Sequence, residues 1–353
     1  MNTIYYIETA QLDQFAHKLT AKYLVLAPQQ KPSNVAPKTD YSYKTLGEED
    51  NLVFNPYRAV EPLKTFFTHL KEKVSTYFTP ETQEITIKPI VIWGVKSCDI
   101  AGHKIQDFVF LEGIEVDTLY RVRRENTILI ASDCTDFKEV CFCLAWDILP
   151  HPVEGFDLNL SPLNDGYLVE VGSKKGEELV RQYRDFFVAA KDTQIAARKT
   201  KRENFIEAFK RHLLPQNLVS KNSVQKLMRE GFTADTWQEF MQTCVECGGC
   251  NLICDTCHCF LLADQNEGNH NSRLRLWDSC LYLNYARVAG GANPLKLRAH
   301  RLRNRFAKKF DFFVDNIGMP ACCGCGRCIE VCPGKIDIRE VLKDLAKKVS
   351  VAK

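Results

Sequence analysis

Residues 322–333 read CCGCGRCIEVCP, and Cys322, Cys325, Cys328 and Cys332 in it fall at the spacing C-x2-C-x2-C-x3-C, with Pro333 directly after. Packing makes no demand for thiols at that rhythm, whereas metal binding does. The spacing recurs in CVECGGCNLICDTCHC as Cys244, Cys247, Cys250 and Cys254, with Asp255 where the proline would stand. Such a run is a bacterial-type [4Fe–4S] ligand set. Where two copies occur, the fourth cysteine of each ligates the other run's cluster. Three thiols on a tight loop reach three irons of one cubane, while the fourth lies past the loop and points to the neighbour. The spacing therefore predicts Cys244, Cys247, Cys250 and Cys332 on one cluster, and Cys322, Cys325, Cys328 and Cys254 on the other. Zinc also takes C-x2-C pairs, but two complete four-cysteine runs are more specific than zinc requires.

Cys98 follows the apolar run Ile90–Val95, and Cys134 follows Thr127–Ser132. If both runs are neighbouring strands of an open α/β sheet, their carboxyl ends deliver these thiols to one rim, where such sheets bind ligands. Cys141 and Cys143 follow on a short loop. These four suit a third [4Fe–4S] cluster; zinc or four unrelated buried cysteines are the alternatives. Asp99, beside Cys98, is read as a helix N-cap in preference to a ligand. Cys257, Cys259 and Cys280 have no evident fourth partner and are read as packing around the clusters or as donors to an undefined site. Cys323 is read as a loop filler.

The elements that must position these thiols divide at about residue 215. Residues 1–215 are expected to form an α/β domain with strands at Tyr23–Ala27, Ile90–Val95, Thr127–Ser132 and near Tyr167. Helices are expected at Phe66–Phe78 and His103–Leu111, against a partly parallel sheet. Gly176–Arg211 reads as a long charged helical connection. Residues 216–353 are expected to form a mainly α-helical, dicluster ferredoxin-like domain with few strands. Trp237, Phe240, Met241 and Cys244 make one helix stripe there.

The 353 residues carry 16 cysteines and a formal net charge of +3, too small to argue for a nucleic-acid partner. The N-terminus has no signal-peptide pattern, and no run is apolar enough for a membrane span. A cytoplasmic location is expected, where thiols stay reduced and disulfides do not explain the cysteine count. The basic run Arg298–Phe310 is read as a solvated helix face, a docking face for an acidic partner, or an offset to cluster charge.

Taken together, GVKSCDIAGHKIQDFVF, RRENTILIASDCTDFKEVCFC, GFDLNLSPLNDGYLVEVG, CVECGGCNLICDTCHC, RLWDSC, RLRNRFAKKF and CCGCGRCIEVCP resemble the beta, iron–sulfur subunits of cytoplasmic sulfhydrogenases, a group that includes the A subunit of anaerobic sulfite reductase. Three places depart from that pattern: Asp255, the stretch after CFC, and Cys323. The resemblance implies an anaerobic electron-transfer subunit relaying electrons between a flavin subunit that handles NAD(P)H and a catalytic subunit of hydrogenase or sulfite reductase type, with no bond-making chemistry of its own. The flavin is expected on the partner. The sequence holds no nucleophile, general base or G-x-G-x-x-G loop, which favours relay. The alternatives are an oxidoreductase with its own flavin or substrate site in the N-terminal domain, and a zinc-bearing scaffold.

Overall fold

The computed structural model describes residues 3–32, 39–77, 88–266, 268 and 271–351. Its apolar, β-branched runs are strands. They are β1 (Ile4–Glu8), β2 (Leu24–Lys31), β3 (Asp40–Thr45), β4 (Lys71–Thr76), β5 (Ile90–Val95), β6 (Thr127–Ser132), β7 (Leu158–Pro162), β8 (Gly166–Val171), β9 (Val188–Ala189), β10 (Phe260–Asn266) and β11 (Asn271–Trp277). The main sheet runs β3-β2-β5-β6-β7-β8-β1-β9. Its centre, β2-β5-β6-β7, is parallel, and antiparallel pairs flank it on both sides. All six residues of β6 are buried, as expected of a parallel strand covered on both faces. The core on one face gathers Phe15, Trp93, Ile130 and Leu158, and the other gathers Phe67, Ile92, Tyr120 and Leu129.

The helix expected over Phe66–Phe78 is absent. A short 3-10 turn (Leu63–Phe66) is followed by β4, and Phe78 lies outside the described residues. The cause is a partner some 200 residues on: β4 pairs antiparallel with β11, and pairing of this kind overrides local propensity. The second half also contains a hairpin, β10–β11, that its helical periodicity did not announce. The charged connection over Gly176–Arg211 is a helix (Lys174–Gln182), the short strand β9 against β1, and a 22-residue helix (Asp192–Leu213).

Helices Lys221–Glu230, Thr236–Phe240, Arg298–Ala307 and Ile338–Val351 pack around Met228, Trp237, Phe306, Phe310 and Val341. The expected Trp237 stripe begins in one of these but ends as a helix at Phe240, so Cys244 already lies on a loop. Among the described residues no helix is long and apolar enough to cross a membrane.

The two halves are joined by buried charge. Arg327 is inserted among the carbonyls of Ala59, Val60 and Glu61 and pairs with Asp99 at 2.5 Å. Arg58 donates to the Cys325 carbonyl at 2.6 Å and pairs with Glu330. Asp255, which departs from the expected proline, is fully buried. Its carboxylate accepts the Lys64 N–H at 2.7 Å, and its carbonyl accepts from Gln106 at 2.6 Å. It lies so close to Gly102 that a Cβ there would meet its Oδ2 at 2.7 Å.

Candidate metal centres

The two four-cysteine runs fold alike. Each loop turns through a left-handed glycine, Gly248 at φ +71° and Gly326 at φ +74°, into a one-turn helix carrying the third cysteine (Gly249–Leu252 and Arg327–Glu330). These two short helices pack against each other. A small cavity is walled by Cys244, Cys247, Cys250 and Cys332, with Cys328, Phe306 and Pro333 beside them. Two backbone N–H groups aim at sulfur: Glu246 N–H at Cys244 Sγ and Ile336 N–H at Cys332 Sγ, both 3.4 Å. Burial raises the Cys244 and Cys250 thiols, and Cys332 is among the charges that raise both.

Cys254 has the reciprocal position. Burial pushes Cys322 up to about 11 and raises Cys328 further, and Cys254 adds to both. Cys325 moves the other way, down to about 6. The Cys323 thiol hydrogen-bonded to it is the largest cause; burial opposes, and Arg327 and Arg58 assist. Each fourth cysteine is thus electrostatic company for the other run's thiols. Cys254 also borders Cys250, so it stands between the two sets.

The N-terminal thiols meet at the sheet rim. β5 and β6 are parallel neighbours, and Cys98 and Cys134 stand just beyond their carboxyl ends. Cys98, Cys141 and Cys143 share one buried cluster with Cys323 and Cys325. Cys134 completes the group: burial pushes it up to about 12, with Cys141 contributing, and Cys143 in turn is raised by burial, Cys141 and Cys134. Lys96 sits beneath them, fully buried, donating to Ser132 Oγ at 2.6 Å and to the Asp133 carbonyl at 3.1 Å. Desolvation lowers its ammonium to about 8. Asp99 is not the N-cap, which is Lys96; it stands at the third position of the helix, where one oxygen accepts the Lys96 N–H at 3.3 Å and the other pairs with Arg327.

The N-terminal rim and the closing loop touch backbone to backbone. Phe142 N–H donates to the Gly324 carbonyl at 2.8 Å. Gly324 has φ +62°, and a Cβ on it would stand 2.6 Å from the Cys143 Cα. Only glycine allows that approach.

The basic run faces inward at every fourth residue. Arg301, Arg305 and Lys309 are buried. Arg305 donates to Asn251 Oδ1 at 2.7 Å, and Lys309 donates to Cys254 Sγ at 3.3 Å and to Thr256 Oγ1 at 2.8 Å. Burial alone would lower Lys309, but Cys254 and Cys257 outweigh it and raise it. Arg305 and Lys309 offset thiol charge, whereas Arg301 pairs with Glu246 and donates to the Leu281, Leu295 and Lys296 carbonyls. The signal of all three in the sequence was the i, i+4, i+8 spacing beside Leu302, Phe306 and Phe310. Lys308–Phe312 is a π-turn, a distortion frequent at functional sites.

Of the remaining thiols, Cys257 hydrogen-bonds Cys254 and contacts Asn251 Oδ1 at 3.7 Å. Cys259 and Cys280 hydrogen-bond each other, and Asn251 Nδ2 donates to Cys280 at 3.2 Å. Asn251 thereby ties these thiols to the Cys250 turn. Among the described residues no three His, Cys, Asp or Glu side chains converge on a point that would hold a single metal ion.

Residues 243–336 match the model of a 4Fe–4S dicluster domain. Over 315 residues the chain is 32% identical to the protein named sulfhydrogenase 2 subunit beta from Pyrococcus furiosus, covering 88% of this chain and 90% of that one.

Proposed function

Given that the chain belongs to the sulfhydrogenase beta-subunit family and is an iron–sulfur subunit of an oxidoreductase, we propose that it relays electrons between a flavin subunit handling NAD(P)H and a catalytic subunit of hydrogenase or sulfite reductase type. Its two parts on this reading are an α/β domain over residues 1–215 and a dicluster domain over residues 216–353. The donor set fits the group: thiols of the right number and spacing, backbone N–H groups aimed at sulfur, and buried cations beside them. Cys244, Cys247, Cys250 and Cys332 would hold one [4Fe–4S] cluster, and Cys322, Cys325, Cys328 and Cys254 the second. Cys98, Cys134, Cys141 and Cys143 would hold a third. When bound, such clusters accept and release single electrons.

One observation carries the reading: the three thiol groups are contiguous. Cys254 stands between the first two, and Gly324 presses on Cys143 between the second and third. The chain's own work is to hold the thiols in that order, keep the inner ones dry and balance their charge with Lys309, Arg305 and Arg58. The runner-up, a ligand site of its own in the N-terminal domain, is favoured by the cavity at Cys134.

The relay is tested in the purified complex. Replacing Cys134 with Ala should remove about four of about twelve irons per chain. It should also slow electron passage from NAD(P)H to the catalytic subunit, while the flavin subunit still reduces a dye directly. Unchanged iron content would remove Cys134 from the ligands, and unchanged passage would remove the third cluster from the path.

A further inference from the structure

A cavity of about 330 Å3 opens beside Cys134, at the carboxyl ends of the parallel strands β6 and β7. We propose that it binds a small organic monoanion, an apolar body carrying one carboxylate. The volume is at the lower end for ligand pockets, about 300–1,000 Å3. Its position, outside the carboxyl ends of parallel strands, is where open α/β sheets take ligands.

The lining fixes the ligand's charge. It holds three cations, Arg198, Lys201 and Arg202, against one carboxylate, Asp133. Arg202 is committed to Asp133 at 2.7 Å and to Ser161 at 3.1 Å, and Arg198 to Glu170 at 2.9 Å. Among the described residues Lys201, which is exposed, contacts only neutral acceptors, the Pro162 carbonyl at 3.4 Å and Asn164 Oδ1 at 3.1 Å. One positive charge is therefore left for an occupant.

His151 supplies a second polar contact. Its Nδ1 is buried, with no hydrogen-bond partner among the described residues. Burial, helped by Arg202, lowers its pKa to about 4, so it is a neutral ring near pH 7. Phe205, Pro150 and Pro162 give the apolar wall. Cys134 also lines the cavity, so the site adjoins the proposed third cluster; Lys201, His151, Phe205, Pro150 and Pro162 are not among the thiols proposed to hold it.

The test is calorimetric titration of the iron-loaded full chain with benzoate, with its neutral counterpart benzamide, and with sulfate. Benzoate should bind at one saturable site, with benzamide and sulfate each at least about tenfold weaker. Lys201→Met should weaken benzoate about three- to tenfold and leave benzamide unchanged. Iron content, unchanged in the variant, shows that it folds. Absence of saturable benzoate binding overturns the proposal. So does equal binding of benzamide or sulfate, or a Lys201→Met chain that binds benzoate like the original. The calorimetry is blind to electron passage, so failure of the relay and failure of this site are separate results.

Discussion

The two cysteine runs have the same spacing and different surroundings. Around the first run Cys247 is exposed, and Arg298 on the Cys244 carbonyl at 3.0 Å is exposed too, although Arg301 on Glu246 and Arg305 on Asn251 are buried on the inward side of the loop. Around the second, Cys325 and the crossed-over Cys254 are buried, with Lys309 on the Cys254 sulfur and Arg58 on the Cys325 carbonyl. Water can screen thiolate charge at Cys247 of the outer site. At the inner site that role falls to fixed cations, because a buried charge without a partner is costly. On the proposed relay, the outer site would serve exchange with another subunit, and the inner one would pass electrons onward within the chain.

The sharpest way to break this comparison is to cut the crossed ligands. Cys254→Ala should cost about four irons and disturb the inner cluster's paramagnetic spectrum, although Cys254 belongs to the outer loop's sequence; Cys332→Ala should do the reverse. Loss confined to each residue's own run would overturn the exchange.

Next in size is the tie between the halves. Asp255→Ala strands the buried Lys64 N–H and should lower stability by about 1–3 kcal/mol in anaerobic denaturant unfolding. Asp255→Asn keeps an acceptor oxygen and should lose less. Equal losses in the two variants would deny Asp255 its tethering role.

Lys309→Met should lower the inner cluster's reduction potential by roughly 60–120 mV, the one-electron equivalent of a charged hydrogen bond, and leave the outer one in place. Potentiometric titration followed by electron paramagnetic resonance separates the two. A shift of both together would mean that the cation acts on the domain as a whole.

The smallest effect lies in the N-terminal half. His103 packs against Phe67 at a ring separation of 4.2 Å, and burial lowers its pKa from the ordinary 6.5 to about 3. Below pH 6.5 the unfolded chain takes up a proton that the folded chain refuses. Its contribution is therefore complete above that pH and is lost at about 1.4 kcal/mol per pH unit as pH falls toward 3. His103→Phe should flatten the decline between pH 6.5 and 5 in urea unfolding. A slope identical to that of the unchanged chain would exclude this residue as the cause.

Thiol spacing told which cysteines act together, because ligand loops are short and their geometry is local. Strands β5 and β6 were equally legible, since a buried parallel strand must be apolar along its whole length, and the rim position of Cys98 and Cys134 followed from them. What spacing could not tell was the surroundings. That Lys71–Thr76 would be a strand depended on β11, some 200 residues away. That Asp255 would join two halves depended on Gly102 and Lys64. Arg305 and Lys309 read equally well as a wet helix face, and their neighbours turned them inward. The amino-acid order by itself determined which thiols stand together and the strands that carry them. The tertiary structure alone decided which thiols lie in water and which lie against buried cations, because charge compensation depends on distance in space and not on distance along the chain.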